Sequence, residues 1–127
     1  MPVTHIDHYN IRVPSDEIES LARFYSEALG LTVGERPPFR STGRWLYAAG
    51  QPLLHLTVFD GEGAAPEHTG RFSHIALKCE DFIEAVGRLD ACGVRYEVEE
   101  VPLLGQRQIF FTDPAGVGVE LNFDSLS

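Results

Sequence analysis

Three histidines and one glutamate stand out because they fall into two matched pairs. His8 and His55 are 47 residues apart, and His74 and Glu120 are 46 apart. Imidazole nitrogens suit Fe, Ni, Zn or Cu, and a carboxylate adds a hard anionic ligand, so these four groups brought together would hold a divalent transition metal. Imidazole and carboxylate groups can also move protons. Taken singly, each is better explained as a surface or hydrogen-bonded side chain than as a ligand; the pairing is what points to a site. His5 and His68 have no such pairing and are expected to be solvated, the first at a fraying strand start and the second in a connector.

The pairing follows from an internal repeat. Leu46 to Leu56 (LYAAGQPLLHL) matches Phe111 to Leu121 (FTDPAGVGVEL) at an offset of 65, and His8 matches His74 at 66. Each half opens with a strand of alternating character, 6–13 and 72–79, and continues into an amphipathic helix. Ser15 is the expected N-cap of the first helix, whose stripe of Ile18, Leu21, Ala22, Tyr25, Ala28 and Leu29 ends at Gly30. Asp81 with Glu84 forms the expected capping box of the second, which ends at Gly93. Three strands should follow each helix, at 31–36, 45–49 and 53–59, then at 94–100, 107–112 and 117–123. The expected architecture is α+β: one domain over residues 1–127, made of two tandem β-α-β-β-β modules (5–59 and 71–124) joined by the Gly- and Ala-containing connector 60–70.

Side chains alternate between the faces of a strand, so parity sorts them. Tyr9, Ile11, Val13, Leu54, Leu56 and Val58 should meet the first helix, and Ile75, Leu77, Cys79, Val119, Leu121 and Phe123 the second. His8, Asn10, Arg12, His55, Thr57, His74, Lys78, Glu120 and Asn122 then share the opposite, open faces. A sheet with one helix buries one face only, so those faces require a partner or a ligand.

Composition narrows the class. Nineteen acidic against ten basic residues give a net charge of −9, which repels nucleic-acid phosphates and anionic membranes. The longest apolar run, Trp45 to Ala49, is far too short for a membrane span or a signal core. Two cysteines, Cys79 and Cys92, fit a reducing cytoplasm better than a disulfide framework.

The phrases His8-Tyr-Asn-Ile-Arg-Val, Phe24-Tyr25 to Leu29-Gly30-Leu31, His74-Ile-Ala-Leu, and Asp113-Pro-Ala-Gly to Glu120-Leu occur here in one order and spacing. In them the chain resembles the vicinal oxygen chelate superfamily, which includes glyoxalase I, extradiol dioxygenases, methylmalonyl-CoA epimerase, fosfomycin-resistance enzymes and bleomycin-resistance proteins. The resemblance implies a curved mixed sheet around a metal-centred cleft, with ligands at His8, His55, His74 and Glu120. It also implies a homodimer in which modules of different chains face each other.

Within that resemblance, glyoxalase I usually carries Glu where this chain has His55, and the epimerase usually carries Gln. Extradiol dioxygenases bind Fe(II) through residues matching His8, His74 and Glu120, and their equivalent of His55 is an unligated acid/base. Their signature tyrosine is Phe110 here, and a further upstream histidine has no counterpart among Val101 to Leu104. The bleomycin-binding proteins lack the ligands that this chain retains.

The leading expectation is a divalent-metal enzyme (Fe(II), Mn, Ni or Zn) acting on a small molecule with vicinal oxygens, nearest to an extradiol dioxygenase. A glyoxalase-like lyase or isomerase is the first alternative; if His55 ligates, a water or Glu120 must then act as the base. A metal-free antibiotic-binding protein is the second. Arg12 and Lys78 are candidates to hold an anionic substrate group, which the locally cationic metal site would also attract. Asn10, Thr57, Phe110 and Asn122 are further candidate contacts, and Trp45 and Tyr47, with Phe39 and Phe59, form a candidate ring-accommodating wall. Gln106, Arg107 and Gln108 are candidates for a polar rim.

Overall fold

A computed structural model describes residues 5–61, 74–101 and 105–124; His68, most of the connector and the expected strand start at Phe72 lie outside them. The order of elements is β1 (Tyr9–Val13), α1 (Ile18–Leu29), β2 (Thr32–Gly34), β3 (Gly43–Ala48), β4 (Gln51–Val58), β5 (His74–Cys79), α2 (Phe82–Ala91), β6 (Glu97–Glu100), β7 (Arg107–Thr112) and β8 (Gly118–Phe123). The β-α-β-β-β module therefore occurs twice. Each module keeps its own four-stranded mixed sheet, ordered β1-β4-β3-β2 and β5-β8-β7-β6, with one parallel pair in each (β1 with β4, β5 with β8).

Several element ends differ from expectation for identifiable reasons. β1 begins at Tyr9 rather than at residue 6, because it is an edge strand whose pairing with β4 starts at Tyr9 opposite Leu54. The outer strands β2 and β6 are likewise short, being paired on one side only. Ser15 does not cap α1: its backbone N–H and hydroxyl both go to the Asp60 carboxylate (2.8 and 3.2 Å), and the N-cap is Glu17, which makes no side-chain capping bond. At α2, Asp81 does accept from the Glu84 backbone N–H (3.1 Å). The reciprocal arm of the capping box is missing, because Arg88 takes the Glu84 carboxylate at 2.9 Å. The β3–β4 hairpin turns through Ala49 and Gly50, both at positive φ (50° and 79°), the backbone that a tight two-residue turn demands.

Parity places the core as expected. Ile11, Val13, Leu54 and Leu56 are buried against α1, and Ile75, Val119, Leu121 and Phe123 against α2. Burial of this apolar surface is the main force holding each helix on its sheet. The two cores touch through α1: Ala28 belongs to the second cluster, and Tyr9, Phe24 and Leu29 pack against both. A buried polar clip fixes that contact. The Tyr25 hydroxyl donates to Asp113 Oδ2 at 2.5 Å, and Asp113 Oδ1 accepts the backbone N–H groups of Ala115 (2.8 Å) and Val117 (2.9 Å) within its own turn. Burial raises the Asp113 pKa, against the lowering effect of these bonds, and burial pushes the Tyr9 phenol up to about 12.

Candidate metal centre

The four paired residues occupy equivalent registers. In module one, Asn10, His55 and Trp45 sit side by side across β1, β4 and β3; in module two, Ala76, Glu120 and Phe110 do so across β5, β8 and β7. His8 immediately precedes β1 and His74 begins β5. All four lie on the faces the helices leave open.

Side-chain geometry makes two half-sites. In module one the rings of His8 and His55 are stacked, with centroids 3.9 Å apart and planes within 11°. Trp45 covers the other side of His55 at 4.0 Å and 12°, and Phe39 follows at 6.0 Å. Nε2 of His55 lies 3.0 Å from the Pro52 carbonyl oxygen, and Nδ1 of His8 lies 2.7 Å from Asp7 Oδ2. Burial, then the neighbouring His8, lower the His55 pKa, which favours the neutral ring; the His8 hydrogen bond lowers that of Asp7.

In module two, His74 Nε2 approaches Glu120 Oε1 at 3.3 Å. The Gln108 side-chain amide donates to Glu120 Oε2 (3.2 Å) and to Asn122 Oδ1 (3.1 Å), so it backs the carboxylate rather than forming an outer rim. Arg107, also considered for that rim, lies with its guanidinium 3.9 Å over the Phe82 ring.

The donor chemistry fits a borderline divalent metal. Among the described residues, however, no three ligand-type side chains gather within one chain. An imidazole donates through a lone pair in its ring plane, and a metal–nitrogen bond is about 2.0–2.1 Å. Parallel rings 3.9 Å apart therefore cannot both aim at one ion, so no more than one ring of the His8–His55 pair could serve as a ligand in this arrangement. The two half-sites lie in separate sheets, each next to the edge strand, β1 or β5, that opens its module.

The candidate substrate contacts divide. Trp45 stands on the open face against His55, and Phe110 with His74 lines a cavity of about 740 Å³ that also reaches Phe24, Tyr96 and Thr112. Asn10 donates to Thr57 Oγ1 (2.9 Å), and Tyr47 donates its hydroxyl to the Glu35 carbonyl (2.6 Å). The Arg12 guanidinium lies 4.1 Å from the Phe59 ring centroid, and Lys78 pairs with Asp124 at 3.0 Å. Sequence reasoning passed over Asp7 and the Pro52 carbonyl. The adjacency of Asp7 to His8 was an available signal for the first, whereas a backbone carbonyl leaves none.

Solved structures share the fold. The Listeria monocytogenes fosfomycin resistance protein FosX, in a mutant form complexed with Mn(II) and 1S,2S-dihydroxypropylphosphonic acid, is 17% identical, with 98% of this chain and 95% of that one covered and a TM-score of 0.73. Lactoylglutathione lyase from Agrobacterium tumefaciens is 20% identical (99% and 98% covered, TM-score 0.66). The antibiotic-binding protein TnmS3 from Streptomyces sp. CB03234 is 22% identical (98% and 99% covered, TM-score 0.65). No curated protein matches the chain. At these identities the likeness establishes the fold alone, but the family model described as Glyoxalase/Bleomycin resistance protein/Dioxygenase superfamily matches residues 5–121. With that match spanning both modules and both half-sites, the chain belongs to this superfamily.

Proposed function

We propose that the chain is a divalent-metal-dependent enzyme acting on a small molecule with adjacent oxygens, and that its metal centre forms where the open face of one module meets the open face of another in a homodimer. The observation that carries this reading is the matched placement of His8–His55 and His74–Glu120 at one register of the repeat, each beside a sheet edge. His8, His74 and Glu120 would hold the ion. A bound divalent ion would accept the two substrate oxygens and favour the charge that develops on them.

The chain's own residues do the rest. His55, sandwiched between His8 and Trp45, takes or returns a proton through the ring nitrogen that Pro52 does not engage. Gln108 holds Glu120 by Oε2 and leaves Oε1 on the His74 side. Trp45 offers a ring surface that excludes water from one side of His55. Parallel stacking argues against His55 as a second ligand from its module, which favours an extradiol-type assignment over a glyoxalase-type one.

The test is anaerobic purification, reconstitution and metal analysis, with mass measured in solution. Near-stoichiometric Fe, Mn, Ni or Zn in a dimer is expected. Less than about 0.2 equivalents would leave the second reading, a metal-free binding protein, which the Trp45 ring surface favours. Oxygen uptake with catechols, set against consumption of the methylglyoxal–glutathione hemithioacetal, then separates dioxygenase from lyase.

A further inference from the structure

We infer that Asp7 is a positioning residue that holds His8 in the tautomer presenting its Nε2 lone pair, while the Pro52 carbonyl holds His55 in the opposite tautomer, with its lone pair on Nδ1. This rests on the metal reading above for its purpose, but not for its geometry. A carbonyl oxygen can only accept, so Nε2 of His55, 3.0 Å from Pro52 O, carries the hydrogen. An ionised carboxylate can only accept as well, so Nδ1 of His8, 2.7 Å from Asp7 Oδ2, carries it there. In neutral rings the lone pair then sits on the other nitrogen in each case. Stacked face to face, the two imidazoles thus offer different atoms: Nε2 from His8 and Nδ1 from His55.

The consequence is a division of labour between two residues that look identical in sequence. A carboxylate or a backbone carbonyl on the distal nitrogen fixes the orientation of a ligating histidine, and the charge of a carboxylate raises the ring's basicity further. A carbonyl behind His55 fixes its orientation without adding a negative charge, which suits a ring that must exchange protons. Asp7, the charged partner of the two, makes His8 the more basic donor of the pair, and on the metal reading above His55 is left for proton transfer.

Long-range ¹H–¹⁵N correlation spectra of the metal-free, histidine-labelled protein at about pH 8, where an ordinary histidine is neutral, read both tautomers directly. The expected result is Nδ1–H for His8 and Nε2–H for His55. Asp7→Ala should release His8 from that tautomer, leave His55 in place, and weaken metal binding about 10–100-fold. Asp7→Asn, which keeps an oxygen acceptor but not the charge, should restore the tautomer and only part of the metal affinity. Asp7 is almost fully exposed, so its removal takes no packing from the core. An Nε2–H tautomer for His8 in the unmodified protein, or an Asp7→Ala variant with unchanged spectrum, overturns the inference. Expected tautomers in a protein that binds no metal would instead overturn the metal centre while upholding Asp7's hold on His8.

Discussion

The fourth strand of module one and the corresponding strand of module two present different groups at one register. β4 presents an imidazole between two other rings, and β8 presents a carboxylate held by an amide. An aromatic residue stands across from each, Trp45 beside His55 and Phe110 beside Glu120. The backbone register has been kept while the side-chain chemistry has diverged. A flat ring is fixed by stacking and one carbonyl; a carboxylate needs donors, and Gln108 supplies one. The helices differ as well. α1 buries Ile18, Leu21, Ala22, Tyr25 and Ala28, whereas α2 buries only Leu89. α1 therefore serves both cores and α2 only its own.

The sharpest way to break the symmetry is at the ligand register. Glu120→Ala should abolish metal binding, a loss beyond the 10–100-fold of outer-shell changes. His55→Ala should keep the metal yet lower turnover by about 10²–10⁴. Metal titration with parallel rate measurements decides the matter, and equal loss of metal in both variants would make His55 a ligand. Next in size is the packing difference. Leu21 and Leu89 are both fully buried, but Leu21 lies in the helix that bridges the cores. In urea denaturation Leu21→Ala should cost about 4 kcal/mol and Leu89→Ala, in a helix with no other buried side chain, about 2.

The clip between modules should be worth less. Tyr25→Phe removes one donor from buried Asp113 and should cost about 1–3 kcal/mol. The sign of the pH effect follows from Asp113's raised pKa. The folded protein holds this proton more tightly than the unfolded chain, so the group's contribution is fully present below its ordinary value of 3.8 and is lost as pH rises through its folded value. The stability of the unmodified protein relative to Asp113→Asn should therefore increase as pH falls from 7 towards 4, measured by denaturation at each pH. The smallest effect separates the two helix starts: Asp81→Ala should cost about 1 kcal/mol, and Ser15→Ala, which removes no helix cap, only a few tenths.

Much of this organisation was legible in the residues. The spacing of His8, His55, His74 and Glu120 and the two-residue parity of their strands placed all four on open faces, because strand alternation is a local property. The helix stripes identified the core for the same reason. What local pattern misjudged were the ends of elements: Ser15 looked like a cap, but its hydroxyl is taken by Asp60, 45 residues away. Glu84 looked like half of a capping box, but Arg88 claims it first. Arg12 and Lys78, the candidates to hold a substrate anion, lie against the Phe59 ring and the Asp124 carboxylate. Each of these outcomes is a competition between partners, which no window of sequence contains.

The sequence by itself determined the repeat, the two β-α-β-β-β modules and the equivalence of the four ligand candidates, since periodicity and spacing are written along the chain. Only the tertiary structure decided that His8 and His55 stack in parallel, that Trp45 covers one and Asp7 holds the other, and that the pairs stay in separate sheets. Ring orientation depends on neighbours from other strands and on one backbone carbonyl, and these come together only when the sheet forms.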